Sequence, residues 1–435
     1  MRVTAGRRRS QRPPAGLPEV ASWVVFDLAT TIFSYVVLTR YFNEWIVIEL
    51  NQPDYLIGLM GLGVAVLLVF ALPFFGAVAD RAGRHKPLLA VFTLISVAGT
   101  AALGVADSVG VALLLAGVAI FAFTSAEAQY HPLLGSVAAP GRQSLVSGLG
   151  IGIGYFGTLL AVLVLGGLAR GTNQEAFLPA AALFLAFALP CLLVVRDRRP
   201  SLAADPEAAA ERRGIVGMGR EAVRDLVATV QRARGRPHGR LLVARFLYVD
   251  ALATVIAFMT VYARRTGDFS SRDIDLLLLL STMFAIAGAV AAGLLVSRVG
   301  PRPILLGTLL AVGATLIVAG VSGSSAILWA GGPVVGAALG IVAATDRVFM
   351  LRLVPPERRG DGFGPYALIG RVSNGIGPLL LWSVPVLVLS QSLAVTSEFN
   401  ASRVAVCLLA VATLLGALVL RPLPNPRSGE ATAAS

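Results

Sequence analysis

The chain has 435 residues, of which 56% are hydrophobic and only 14% are charged, whereas soluble globular chains carry about 25% charged residues. The formal net charge is +12, and the 36 basic residues include a single lysine, Lys86. This composition excludes a soluble enzyme. The arginines collect in short segments between apolar runs, and this distribution argues against nucleic-acid binding.

Apolar runs recur along the chain, and each is long enough to cross the ~30 Å hydrocarbon core of a bilayer as a helix. The basic residues collect in segments that alternate to one side. By the positive-inside rule this places both termini in the cytoplasm and the protein in the cell membrane. We predict an all-α integral membrane protein with twelve transmembrane helices, at residues 21–42, 55–79, 87–106, 109–131, 145–168, 177–195, 241–263, 274–297, 303–321, 326–351, 363–390 and 403–420.

The first apolar run, Val20 to Phe42, contains Asp27 and is too long for the apolar region of a signal peptide, so we interpret it as a retained helix. The predicted domains are a cytoplasmic amino-terminal tail (1–20), a six-helix half (21–195), a basic cytoplasmic linker (196–240), a second six-helix half (241–420) and a carboxyl-terminal tail (421–435).

The turn between the second and third spans reads GAVADRAGRHKP. It resembles the signature of the major facilitator superfamily at this position, where the motif governs gating rather than substrate choice. A small residue at the first position allows helices to approach closely, and the acid can pair with arginines or with a helix N-terminus. A basic topogenic loop would explain the arginines but not the two glycines and the acid. The predicted gating residues are Gly76, Asp80, Arg81, Gly83 and Arg84.

The linker contains a stretch, Ile215 to Arg234, in which apolar residues fall near one helical face. An amphipathic helix on the anionic inner leaflet explains this pattern. A solvated linker that only carries topogenic charge explains it equally well, so both interpretations stay open.

Landmarks of the first half recur in the second half at nearly constant spacing, which predicts two parallel six-helix repeats related by a pseudo-two-fold axis. The pairs are Asp27 with Asp250 at an offset of 223, Gly76 with Gly293 at 217, and Gly150 and Gly157 with Gly370 and Gly377 at 220. In the second copy of the gating motif, Ser297 stands in the position of Asp80, so we expect an asymmetric gate.

Three segments are similar to the vacuole-effluxer-like (autophagy-related) branch of the superfamily: SWVVFDLATTIFSYVV, QYHPLLGSVA followed by SGLGIGIGYFG, and ALIGRVSNGIGPLL. The best-known members of that branch export amino acids from vacuoles, so the resemblance implies an exporter of similar substrates. Leu28, Thr30 and His131 depart from the residues usual in that branch, which affects the expected substrate more than the expected fold.

Ionisable side chains inside membrane spans are costly and usually serve function. Seven occur here: Asp27, Glu127, Arg245, Asp250, Asp346, Arg347 and Arg371. They either line a cavity that binds substrate and carries protons, or form ion pairs that close the inner gate. The predicted substrate or coupling residues are Asp27, Thr30, Thr31, Glu127, Tyr130, Asp250, Arg371 and Asn374.

Other chemistry finds little support in the sequence. The GIGYFG segment lies inside an apolar span and follows no strand, so it indicates helix packing rather than dinucleotide binding. We expect no cofactor, no metal site and no enzymatic activity. The predicted function is a monomeric secondary transporter that exports a small polar metabolite, such as an amino acid, by alternating access. It is expected to be coupled to a proton or another gradient and to contact membrane lipid. The alternatives are a multidrug or lipophile effluxer of the same fold, and a non-transporting membrane scaffold or sensor.

Overall fold

The computed structural model describes residues 16–138, 142–168, 171–197, 236–354, 366, 369–370, 375–392 and 396–425. All regular structure in these residues is helical. The long helices are α1 Leu17–Glu49, α2 Tyr55–Ala82, α3 Lys86–Leu103, α4 Val109–Tyr130, α5 Gln143–Leu168, α6 Phe177–Val194, α7 Pro237–Arg265, α8 Ser271–Val299, α9 Pro301–Ser322, α10 Ser325–Leu353, α11 Gly375–Ser390 and α12 Glu398–Leu420.

Within the described residues, eleven of these helices are long and apolar enough to cross a membrane, and α11 is shorter. The prediction of a twelve-helix integral membrane protein is therefore confirmed. The largest difference in a boundary concerns α1, which continues to Glu49 instead of ending near residue 42 and contains wide π-helical turns at Ser34–Arg40 and Trp45–Glu49. Three polar residues of this last part of α1, Arg40, Asn43 and Glu44, form hydrogen bonds with the second half of the molecule.

Local sequence signals start several helices. Serine side chains cap three of them, because each hydroxyl accepts an amide of the first turn that has no helical partner. Ser108 caps α4, Ser270 forms a capping box with Asp273 at α8, and Ser397 caps α12. Proline lies in the first turn of α3, α7 and α9, where its missing N–H costs nothing.

The two six-helix halves pack in the same way. In the first, α1 packs on α5 and α6, α3 on α4 and α6, and α2 on α4. In the second, α7 packs on α11 and α12, α9 on α10 and α12, and α8 on α10. Adding six to each helix number converts one pattern into the other, as expected for a duplicated unit. Between the halves, α2 contacts α11, α5 contacts α8, and α1 contacts α7.

The bundle has two ends. We call the end where α1 begins and α12 ends the proximal end, and the opposite end the distal end. At the proximal end of the first half, Asp197 accepts the main-chain amides of His85 and Lys86 at the start of α3. In return, the Lys86 ammonium donates to the main-chain oxygen of Val195, just after α6, at 2.6 Å. Each helix thus caps the other.

The second half repeats this reciprocal cap with different residues. The Asn425 side chain accepts the amide of Arg302 at 3.3 Å, and the Arg302 guanidinium donates to the main-chain oxygen of Arg421 after α12. The first cap contains a lysine and a carboxylate, whereas the second contains an arginine and a neutral side-chain amide. The linker prediction, including the stretch from Ile215, lies outside the described residues.

Candidate functional site

The α1–α5 crossing presents Asp27 at the interface. A Cβ on Gly154 would lie 3.2 Å from the main-chain oxygen of Asp27 and 3.3 Å from Thr31 Oγ1. A Cβ on Gly150 would meet the Asp27 carboxylate itself. Glycines on α5 therefore allow α1 to approach closely and leave the carboxylate lying against α5.

Aromatic side chains form one wall of this site. The Tyr130 ring of α4 stacks between Trp23 and Phe26, with centroid distances of 4.6 Å to each. Its hydroxyl donates to the main-chain oxygen of Trp23 at 2.8 Å and lies within hydrogen-bonding reach of the Asp27 carboxylate. All three rings are buried, whereas Asp27 is partly exposed.

A second carboxylate, Glu127 on α4, lies near enough to Asp27 for the two negative charges to repel each other. The structure therefore brings the predicted residues Asp27, Glu127 and Tyr130 together. Thr30 and Thr31 are close in sequence, but both hydroxyls donate to the main-chain oxygen of Asp27, at 2.9 and 2.8 Å. In this conformation they satisfy the backbone of α1.

The second half contains the same crossing between α7 and α11. Thr254 donates to the main-chain oxygen of Asp250 at 2.7 Å, and a Cβ on Gly377 would lie 2.8 Å from that oxygen. Gly154 makes the matching contacts in the first half, so it is the counterpart of Gly377. The two glycines lie 223 positions apart, which is also the offset between Asp27 and Asp250. The expected pairing of Gly157 with Gly377 at 220 was wrong, because it matches residues nearly one helical turn apart.

Asp250 differs from Asp27 in its surroundings. Its side chain is only 4% exposed, and its carboxylate accepts the main-chain amide of Gly377 at 2.7 Å. In this conformation Asp250 therefore holds α11 against α7 and does not line an open cavity.

Asp346 forms the centre of a buried cluster that joins α7, α10 and Tyr366. It pairs with Arg245 and accepts hydrogen bonds from the hydroxyls of Tyr248, at 3.2 Å, and Tyr366. The Arg245 guanidinium also lies 3.7 Å from the centroid of the Tyr366 ring. Since all four residues belong to the second half, this ion pair does not close a gate between the halves. Arg347 is exposed.

A charged cluster joins the halves at the distal end. Arg40 of α1 pairs with Glu44 at 2.7 Å and, across the interface, with Asp275 of α8 at 2.6 Å. Arg264 of α7 completes the cluster by pairing with Glu44 at 2.7 Å. Arg40 and Glu44 are each 1% exposed. Two arginines thus balance two carboxylates, which compensates for taking the charges out of water.

A second distal cluster is centred on Asp54, which precedes α2 and is 3% exposed. Both of its carboxylate oxygens accept from Arg265 of α7, at 2.6 and 2.7 Å. The Trp382 indole of α11 donates to the same carboxylate at 2.6 Å, and the Ser383 hydroxyl donates to the Asp54 main-chain oxygen at 3.1 Å. One first-half residue is therefore held by three residues of the second half.

Sequence reasoning missed both distal clusters. Their members lie at the ends of the predicted spans, where charged residues are expected in any membrane protein. The available signal was the balance of three arginines against three acids at the distal ends of α1 and α7 and at the starts of α2 and α8. These residues are Arg40, Glu44, Asp54, Arg264, Arg265 and Asp275.

The gating motif is described only in part. Gly83 has a φ of +63°, and the amide of Arg84 returns to the main-chain oxygen of Ala79 at 3.1 Å, which ends α2 in a Schellman turn. Gly300, which follows α8 and lies 217 positions after Gly83, also has a positive φ, of +94°. No described atom lies within 4 Å of a Cβ placed on Gly76, so the described residues do not pack closely against it in this conformation.

Other predicted residues cannot be placed. The side chains of Asp80 and Arg81 lie outside the described part, as do Arg371 and Asn374 entirely.

Comparisons with known proteins agree over most of the chain. The family model of the Major Facilitator Superfamily matches residues 23–378 and 241–434. An uncharacterized MFS-type transporter of Bacillus subtilis (strain 168), YxiO, is 24% identical over 432 residues, covering 94% of this chain and 95% of the relative. An uncharacterized protein of Aquifex aeolicus (strain VF5) is 22% identical over 382 residues, covering 86% of this chain and 91% of the relative.

Among solved structures, the nucleoside transporter NupG superposes with a TM-score of 0.70 at 13% identity, covering 93% of this chain and 98% of that one. The xylose transporter XylE from E. coli, in an inward open conformation, gives a TM-score of 0.65 at 12% identity, covering 95% and 97%. At these identities the likeness concerns the fold alone.

Proposed function

Because this chain belongs to the Major Facilitator Superfamily, we propose that it exports a small polar metabolite with an ammonium group, such as an amino acid, across the cell membrane. It is a multi-pass secondary transporter and not an enzyme. Transporters of this family bind small-molecule substrates, and the Asp27 site supplies a carboxylate beside aromatic rings, which suits an ammonium group. The three segments similar to the vacuole-effluxer-like branch support the same substrate class.

The orientation we propose places the proximal end in the cytoplasm. The basic residues of the proximal turns, such as Arg84, Arg142 and Arg196, are exposed. In contrast, the distal arginines Arg40, Arg264 and Arg265 each pair with a carboxylate. Exposed positive charge at the proximal end is the pattern that the positive-inside rule associates with the cytoplasm.

The observation that carries the proposal is the contrast between the ends of the bundle. Two ion-pair clusters tie the halves together at the distal end, whereas Asp27, toward the proximal end, is partly exposed. In the proposed orientation this is an inward-facing state, in which substrate reaches Asp27 from the cytoplasm. Transport then requires the distal clusters to separate while the proximal ends of the halves approach each other.

The test uses purified protein in proteoliposomes, a mixture of radiolabelled L-amino acids and an imposed pH gradient. The proposal expects Asp27→Asn to abolish pH-driven uptake, because the amide neither carries a proton nor attracts an ammonium group. Asp250→Asn and Glu127→Gln test whether the other two candidate acids are also required for pH-driven uptake. Asp107→Asn, which changes an exposed acid in the α3–α4 turn, is the matched control and is expected to transport normally. Unchanged uptake in all three acid variants would discard the coupling role.

A second candidate function, export of lipophilic compounds, has one observation in its favour. A groove of about 820 Å³ between α2 and α4 is lined only by apolar residues, glycine and alanine among them. If this groove is an entry path from the bilayer, overexpression confers resistance to lipophilic cations such as ethidium, and the amino-acid mixture gives no uptake. Resistance without uptake would favour this candidate over amino-acid export.

A further inference from the structure

Two apolar grooves open on the outer surface of the bundle. One is the α2–α4 groove described above, and the other has a volume of about 540 Å³ and lies between α9 and α12. They differ at the rim: the residues that line the first carry no charge, whereas the second is lined by seven apolar residues and by Arg421. A charge beside an apolar groove is the arrangement that suits an amphipathic ligand.

The length of the α9–α12 groove matches the thickness of one bilayer leaflet. Its lining residues on α12 run from Val411 to Arg421, ten positions that span about 15 Å along a helix. This is half of the ~30 Å hydrocarbon core. Leu310, Val411 and Leu418 are 55%, 50% and 60% exposed, so the groove faces the lipid and is not covered by another of the described helices.

Two arginines meet at the proximal mouth of this groove. The Arg302 guanidinium donates to the main-chain oxygen of Arg421, which holds the two residues together and leaves the Arg421 side chain exposed. The Nε atom of Arg302 is buried and has no hydrogen-bond partner. Neither arginine pairs with a carboxylate within the described residues.

In the corresponding mouth of the first half, the described cations of the cap lie beside acids. There Lys86 is accompanied by the Asp197 carboxylate, and Arg196 lies 3.9 Å from Glu19. Asn425 replaces the acid in the second half. Among the described residues, cations without an acidic neighbour therefore distinguish the α9–α12 cap from its first-half counterpart.

We propose that the α9–α12 groove binds an anionic phospholipid of the proximal leaflet. One acyl chain lies along Leu310, Leu414 and Leu418, and the phosphate contacts the guanidinium groups of Arg421 and Arg302. Two cations with no neighbouring anion among the described residues favour a headgroup with net negative charge, because the ammonium of a zwitterionic headgroup would be repelled.

The test is native mass spectrometry of the purified full-length protein, titrated with phosphatidylglycerol or with phosphatidylcholine of the same acyl chains. The wild type should retain phosphatidylglycerol more strongly. Arg421→Gln should lower that retention about fivefold, the effect expected from one arginine at a lipid surface, and leave phosphatidylcholine unchanged. Arg142→Gln, at an exposed arginine of another proximal turn, should behave as wild type.

A second pair of variants tests the acyl chain. Leu418→Trp fills the α9–α12 groove and should reduce phosphatidylglycerol retention, whereas Leu67→Trp, at an equally exposed leucine of the α2–α4 groove, should not. Equal retention of both lipids by the wild type, or an Arg421→Gln protein indistinguishable from it, overturns the proposal. Displacement of phosphatidylglycerol by an equal concentration of inorganic phosphate also overturns it, because the site would then recognise a free anion. Melting temperatures confirm that each variant is folded.

Discussion

Asp27 and Asp250 occupy the same place in the two repeats and have different surroundings. Both precede a threonine that donates back to their main-chain oxygen, and both lie against a glycine of the crossing helix. Yet Asp27 is partly exposed beside aromatic rings and a second carboxylate, whereas Asp250 is buried and accepts an amide of α11. Duplication therefore preserved the backbone arrangement while the surroundings of the two carboxylates diverged.

The rest of the second half is consistent with this division. Arg245 and Tyr248, which hold Asp346, correspond at the offset of 223 to Ser22 and Val25, so the first half has no equivalent cluster. The second half is fastened by buried polar contacts around α7, and the first half leaves its central acid accessible. Asp27, which lies in the half without this cluster, is therefore the better candidate for carrying substrate or protons.

The largest expected effect concerns the cluster that only the second half has. Asp346→Asn leaves Arg245 buried without a counter-charge, so the free energy of unfolding in detergent should fall by about 3–5 kcal/mol. Ser22→Ala, at the position equivalent to Arg245, should change it by about 1 kcal/mol or less. Similar losses in the two variants would contradict the asymmetry.

The next effect compares the two crossing glycines. A Cβ on Gly377 would meet Thr254 Oγ1 and the backbone of Asp250 at less than 3.0 Å, whereas a Cβ on Gly154 would keep contacts of 3.2 Å or more. Gly377→Ala should therefore destabilise the protein by about 1–3 kcal/mol through overpacking, and Gly154→Ala should cost less. Thermal unfolding of both purified variants measures this difference in stability. If Gly154→Ala costs more, the α1–α5 crossing is the tighter one.

A smaller effect on the free energy of unfolding should distinguish Asp250 from Asp27. Asp250→Asn keeps an acceptor for the Gly377 amide but removes its charge, which should cost about 1 kcal/mol. Asp27→Asn should leave the unfolding free energy unchanged, since its carboxylate is partly exposed. Chemical denaturation in detergent distinguishes the two, and a larger loss for Asp27→Asn would reverse the assignment of structural and functional acid.

The smallest effect concerns the reciprocal caps. Lys86→Gln removes a cation from the C-terminal end of α6, and we expect a loss of about 0.3–1 kcal/mol. Arg302→Gln should cost a similar amount at the end of α12. The loss for Lys86→Gln should shrink more in high salt, because that cap includes the Asp197 charge. Salt-independent losses in both variants would indicate that the caps act only through packing.

Much of this protein could be predicted from its sequence. Apolar runs of bilayer length have one stable solution in lipid, a helix that satisfies its own backbone, so the twelve helices followed from length and composition. The repeat of Asp27 at Asp250 predicted the duplicated halves, and the Gly76–Pro87 turn predicted the superfamily. Asp27, Glu127 and Tyr130 could be selected from the sequence as polar residues inside spans, and the structure places them side by side in the first half.

Only the tertiary structure decided the register of the crossings and the partners of the buried charges. An offset of 220 and one of 223 are indistinguishable as sequence repeats, yet they differ by almost one helical turn, and the packing of Gly154 and Gly377 selects the second. Likewise, Asp54 meets Arg265 across 211 positions of chain. Such a pair is determined by how whole helices from different halves dock, because the energy of a buried charge depends on neighbours that local sequence does not specify.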